Sequence, residues 1–327
     1  MGHIQPQTQT GSVTGFSGGV DTGLLQTLVD FVTSDPGTPG LDWTVEMNQT
    51  ICDQYGAEYS GSPLIEVILS NTGVSGLETI IVGFREYQYA SGNEYNIELN
   101  GYLSVPAGWN SHALATHGLN GYDEDRKHWN YLPMLQCFDN EMEYWFYSTQ
   151  EFISASVRVG TSYYQFYVGN GMRFSSPSEH PYPLVVAGSS VGPYSYQADG
   201  NGPVRPGTKE VSNNDYYTAF FINASGIFNT TPTVEPMQGN SNNVSIDRTA
   251  GDAAFMCPAF YRDSQATYLQ LYNTFVIRVT NLLSESLYTD PDNRQYRVFA
   301  QGLTDYDYEF LAMVEDIGLT SSTTSTT

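Results

Sequence analysis

Apolar residues recur along this chain at two periods, and the shorter one dominates. The helical period occurs once, near the start. Leu24, Leu25, Leu28, Phe31 and Val32 fall on one face of a helix predicted over 23–32, the spacing that packs a helix onto a core. Asp21 stands where it can cap that helix. Asp35-Pro36-Gly37-Thr38-Pro39-Gly40 supplies the turn chemistry that ends it. After that the pattern is β. Trp43-Thr44-Val45 reads as a strand, followed by strands over 63–70, 78–87 and 93–102. In the last of these Tyr95, Ile97 and Leu99 alternate with polar residues, as a half-buried strand requires. Short strands broken by Gly and Asn turns continue to about residue 188.

A Gly-, Pro- and Ser-rich stretch over 189–211 marks a long loop or a boundary. Beyond it the chain mixes strands, at 216–222 and 275–279, with Asn-rich loops. Asp305, Asp307 and Glu309 alternate with Tyr306, Tyr308 and Phe310, which puts carboxylates on one strand face and rings on the other. The expected fold is mainly β (α+β), an antiparallel sheet with a short N-terminal helix followed by a second β-rich region. The expected organisation is a flexible arm over 1–20, a β-rich domain over 21–190, a second β-rich, Asn/Gly-rich domain or insertion over 191–318, and a disordered tail over 319–327.

Charge changes the picture more than length does. The 327 residues hold 35 Asp and Glu against 12 Lys and Arg, a formal charge of −23. The lysines are Lys127 and Lys209 alone. Nucleic-acid binding is excluded, because phosphate contacts come from clustered Lys and Arg. Such a charge repels itself at low salt, and molar salt shortens the screening length to ~3 Å. Abundant carboxylates with almost no lysine point to a protein built for a very salty environment. Met1 to Thr10 is polar, and no stretch approaches the ~18 apolar residues of a membrane span. Synthesis in a host cytoplasm and no membrane insertion are expected.

Candidate chemistry is sparse. His3, His112, His117, His128 and His180 lack the spacing of a metal site. Asn120 to Asp125 ends in three consecutive acids and misses the alternating pattern of a calcium loop. Cys52, Cys137 and Cys257 form no CxxC pair. No G-x-S-x-G, HExxH or P-loop frame occurs. The expectation is therefore no enzyme, no catalytic residue, no cofactor and no metal. Four Asn sequons occur, at Asn48, Asn223, Asn229 and Asn243; the three within 223–245 mark a solvent-facing loop if the chain meets a glycosylating host, and chance in an Asn/Ser/Thr-rich chain is the alternative.

One segment carries a recognisable pattern. It runs Tyr144-Trp145-Phe146, then Ser154 to Gly160, Tyr163, Tyr167-Val168-Gly169, and Pro177-Ser178-Glu179-His180-Pro181-Tyr182-Pro183-Leu184, closing on Gly188-Ser189. This resembles a family of virion structural proteins, from the neck or tail, of tailed phages and haloarchaeal tailed viruses. The strands around 81–87 and 94–99 are similar too, so the resemblance spans roughly 21–190. Where that family often has an arginine pair after its YWF strand, Gln150 and Glu151 stand here.

The resemblance implies a structural component of a tailed virus particle, in the head–tail joining or tail-completion region or the tail. Its implied partners are other virion proteins and copies of itself in a cyclic homo-oligomer. A virion-surface or tail-tip adhesion protein is the alternative. The candidate subunit interface is the aromatic strand Tyr144, Trp145 and Phe146 with the proline-stiffened arm Pro177, Pro181, Tyr182, Pro183 and Leu184. Rigid aromatic and proline surfaces of this kind suit docking.

Overall fold

A computed structural model of the chain describes residues 4–14, 23–50, 65–88, 94–102, 104–105, 122–123, 128–129, 133–138, 141–174, 183–188, 190–191, 219–222, 228–229, 233–236, 246–247, 255–262, 267–280, 283–300 and 309–318. In chain order the elements are β1 (Gln7–Thr14), α1 (Leu24–Val32), β2 (Thr44–Thr50), β3 (Ile65–Asn71), β4 (Ile80–Gln88), β5 (Glu94–Tyr102), β6 (Tyr122–Asp123), β7 (His128–Trp129), β8 (Pro133–Phe138), β9 (Glu141–Ser148), β10 (Phe152–Val159) and β11 (Ser162–Arg173). The second half adds β12 (Leu184–Gly188), β13 (Ser190–Val191), β14 (Ala219–Ile222), β15 (Phe228–Asn229), β16 (Thr233–Pro236), β17 (Ile246–Asp247), β18 (Phe255–Arg262), β19 (Thr267–Thr280), β20 (Leu287–Thr289), β21 (Gln295–Ala300) and β22 (Glu309–Asp316). The fold is mainly β with one short helix, as the residue pattern predicts.

Two sheets carry the architecture. One holds six strands in the order β13-β8-β5-β4-β3-β2. The other holds fourteen, its main path running β1-β9-β10-β11-β19-β22-β21-β20. Pairing is antiparallel except for the short β17–β19 contact. Strand alternation sends odd and even side chains to opposite faces, and in the middle of the large sheet both faces are buried. Tyr144 and Phe146 of β9, Val157 of β10 and Phe166 of β11 face the six-stranded sheet and α1. Phe31 of α1 stacks on Phe146 at 6.2 Å, and Phe84 of β4 meets Phe166 edge-on at 5.7 Å. The opposite face, with Trp145, Tyr147, Phe152, Tyr163 and Tyr167, packs on Leu269, Leu271, Phe299 and Met313 from the second half. The large sheet curls back over itself, and its far end closes a smaller core of Phe275, Ile277, Tyr288, Tyr296, Val298 and Val314.

Helix α1 forms for the expected reason. Leu24, Leu25, Leu28, Val29, Phe31 and Val32 are buried on one face. Its N-cap is Gly23, without a side-chain cap, rather than the expected Asp21. Asp21 lies outside the described residues.

One other expectation is corrected, and the structure bears on a second. Residues 7–14, expected within a flexible arm, form β1 and pair with β9 from Gln7↔Ser148 to Thr14↔Glu141. Gly11 makes room for the Tyr144 ring, since a Cβ there would stand 2.6 Å from the Tyr144 hydroxyl. Gln9 donates a hydrogen bond to that hydroxyl at 3.2 Å. A strand at the rim of a sheet needs no apolar face, which is why a Thr/Gln/Gly/Ser sequence reads as an arm. The expected division near 190 is also crossed by the sheet, because β11 pairs with β19 and β12 with β14. The tail over 319–327 lies outside the described residues.

Candidate interaction surface

Five of the eight residues assigned to a subunit interface are described, and all five are buried within this one chain. Tyr144, Trp145, Phe146 and Leu184 belong to the two cores that sandwich the central sheet. Pro183 is buried at the start of β12. Trp145 is covered by Phe299 of β21 at 5.2 Å and flanked by Tyr163 at 6.5 Å. This part of the expected interface is therefore interior. Tyr144, Phe146 and Leu184 pack on α1 and the six-stranded sheet, and over Trp145 the chain's own second half, whose return has no local signature in the sequence, occupies the place given to a partner. Pro177, Pro181 and Tyr182 lie outside the described residues.

Gln150 and Glu151, at the position of the missing arginine pair, have an internal task. The Glu151 carboxylate accepts from the Val74 N–H at 2.8 Å and from the Asn170 side-chain amide at 3.2 Å. Gln150 donates to Asp42 at 2.8 Å, Trp43 donates its indole N–H to the Thr149 carbonyl at 3.0 Å, and Ser148 donates to the Gly40 carbonyl at 2.5 Å. These bonds tie the turn after α1, the β3–β4 turn and the β9–β10 turn together at one end of the molecule. Arg173, at the end of β11, adds an ion pair with Glu78 at 3.4 Å.

The other end of β11 has its own polar cluster. Tyr163 donates to Glu285 at 2.5 Å, and Arg158 pairs with Glu285 at 2.8 Å and with Glu143. Burial, with Glu285 alongside, pushes the Tyr163 phenol above its ordinary value. A third cluster joins the termini to the sheet. Tyr147 donates to Glu315, whose carboxylate also receives Arg297, and Gln5 bonds the Glu315 carbonyl at 3.0 Å. Burial holds the Tyr147 phenol well above its usual range, with Glu315 adding to it. Among the described residues, Glu86 is the most perturbed carboxyl. Burial pushes it up to about 8, and the Ile65 N–H it accepts at 2.9 Å pulls the other way. Its side chain is buried.

What the surface does offer is apolar residues at both ends of β11. At the Arg173 end, Val74 and Leu77 in the β3–β4 turn are 60% and 90% exposed. At the Tyr163 end, Leu283 is 76% exposed beside Glu285, with Leu287 exposed next to it. Tyr163 and Arg173 bracket most of β11, so at ~3.3 Å rise per residue the two groups lie roughly 33 Å apart. The sequence signal for them was available and easily passed over: apolar residues inside a turn, in Gly73-Val74-Ser75-Gly76-Leu77 and in Leu283-Ser284-Glu285-Ser286-Leu287.

Among the described residues no group of His, Cys, Asp and Glu is arranged to hold a metal, and no helix is long and apolar enough to cross a membrane. His128 sits on β7; the other four histidines lie outside the described residues. Asn48 is on β2 and Asn229 on β15. The chain matches no protein-family model, and a search of curated proteins finds no match.

Proposed function

We propose that this chain is a structural component of a tailed virus particle, in the head–tail joining or tail-completion region or the tail, and that it works through contacts between copies in strong salt. The observation that carries the reading is the pair of exposed apolar groups at opposite ends of β11, Val74 with Leu77 and Leu283 with Leu287. A closed ring is built from two different, complementary faces on each subunit. These two ends are different, and β11 separates them along its length. Each end keeps an excess of carboxylates, with Asp42, Glu78 and Glu151 around Arg173 at one and Glu143 and Glu285 around Arg158 at the other. At low salt the ends repel. In molar salt, with a screening length of ~3 Å, short-range apolar contact prevails. The resemblance of residues 21–190 to virion neck and tail proteins and the near-absence of lysine favour the same reading.

The test is assembly of the purified chain in ~0.1 M and in multimolar KCl, over which the screening length falls from ~10 Å to ~3 Å or less, followed by sedimentation and electron microscopy. Rings are expected in high salt. Leu77→Asp and Leu283→Asp should each stay folded and form no ring. Mixed together, the two variants should join through the one intact face each keeps, and still close no ring. A chain that stays monomeric at every salt concentration would overturn the assembly reading. Antibody labelling of virus particles then places it: a mid-particle ring fits joining, and a distal position fits adhesion.

A further inference from the structure

We infer that the free edge of β1 is a pairing surface for β1 of a second copy of this chain, the two strands running antiparallel across a two-fold axis. The inference is independent of the virion reading and rests on how the edges of the sheets are built. An edge strand presents unpaired N–H and C=O groups, and proteins blunt such edges with shortness, charge, proline or bulges. The other edges among the described residues use these devices. β2 carries Glu46 and a bulge between Val45 and Met47. β20 has three residues and runs into Asp290. β13, β15 and β17 have two residues each, and β16 has four and ends in Pro236.

β1 uses none of them. It is eight residues long, Gln7-Thr8-Gln9-Thr10-Gly11-Ser12-Val13-Thr14, with no charge and no proline. Its register with β9 is unbroken over all eight pairs. No described strand pairs with its other side, and Thr8, Thr10, Gly11 and Ser12 are exposed. Its inner half is held firmly: Tyr144 lies against Gly11, and Ile4 exchanges two hydrogen bonds with Asn273 just before the strand. The edge is thus a fixed, exposed template on which no other described strand lies.

The strand itself selects the occupant. A second copy carries the same charge of −23, screened to ~3 Å in molar salt, so the fit comes from the two edges that meet. β1 of a second copy carries no charge, matches the length and regularity of the template, and meets it across a self-complementary contact. Thr and Ser side chains opposite one another add cross-strand contacts of their own. Four residues of each strand turn outward, so the two copies exchange about eight hydrogen bonds.

Hydrogen exchange of the full chain in multimolar KCl tests this, read residue by residue over 7–14 at two protein concentrations. Alternate amides of β1 already bonded to β9 should be protected at both. The intervening amides should gain at least ~10-fold protection only at the higher concentration, in step with dimer formation by sedimentation. Gln9→Pro and Thr10→Pro then split the two sets, because adjacent residues face opposite edges. The variant whose melting is unchanged should have lost dimerisation. Outward amides that exchange equally fast at both concentrations would overturn the proposal. So would a fold-preserving proline variant that dimerises like the parent chain, since association would then run through other surfaces such as Leu77 and Leu283.

Discussion

Trp145 shows how one side chain decides between an outer and an inner role. Its ring is covered by Phe299 and Tyr163 from the same chain, so it acts on folding before any assembly. Trp145→Ala should cost ~3–5 kcal/mol of stability, as loss of a buried aromatic does, measured by guanidinium unfolding at fixed high salt. Were Trp145 instead an assembly residue, the variant would unfold normally and fail only to associate. Glu86 gives a second test at this scale. Its folded value, pushed to about 8 from 4.5 by burial, means that the fold favours the protonated form. The stability this group contributes is whole below pH 4.5, declines as pH rises through that window, and is gone above about 8. Glu86→Gln mimics the protonated acid at every pH. Relative to that variant, the parent chain should lose up to about 1.4 kcal/mol per pH unit within the window. Equal pH dependence of the two proteins would show that Glu86 is ionised in the fold.

Among elements, β11 does the most unusual work, because it changes partner along its length. It pairs with β10 through Gly169 and with β19 from Gly171. The change occurs at Gly169, whose φ is +133, and where a Cβ would stand 2.3 Å from the Glu151 carbonyl oxygen. Gly169→Ala should therefore cost more than the ~1–3 kcal/mol of backbone strain alone, seen as a lower melting temperature with the two halves still unfolding together. The sequence made some of these elements legible and not others. The helix face at 24–32 and the strands beginning near 65, 80 and 94 were readable because each buries a periodic apolar set. β1 was not, because it is polar and held by backbone bonds. The interior position of Tyr144–Phe146 was not either: a strand with apolar residues on both faces needs two covers, and local pattern cannot say whether the second is the same chain. The exposed Val74 and Leu283 hide in turns for the opposite reason, since they follow no period at all.

The whole molecule carries a charge of −23, and among the described residues ion pairs gather at Arg158, Arg173, Arg294 and Arg297. Self-repulsion at this scale is long-range and is screened by salt, whereas the aromatic core is not. The melting temperature should rise steadily from ~0.1 M KCl to multimolar KCl, where the screening length falls from about 10 Å to ~3 Å or less. A flat or falling series would reject adaptation to salt and, with it, the salt-driven assembly of the two acidic ends.

The pairing of β1 with β9, and of β11 with β19, also sets the order in which this protein can be made. As the chain leaves the ribosome, β1 waits for a partner at 141–148, and the Trp145 face of the central sheet waits for Phe299. Until the last third is translated, an aromatic surface stays open to every neighbouring nascent chain. Contacts so distant in sequence make folding slow and expose it to misassembly. A product ending at residue 190 should accordingly precipitate or bind a hydrophobic dye strongly, while the full chain does neither. If that shorter product proves soluble and melts cooperatively, the first half is a domain after all. Otherwise the protein can be completed only once its final strands emerge, and premature termination yields an aggregation seed instead of a usable half.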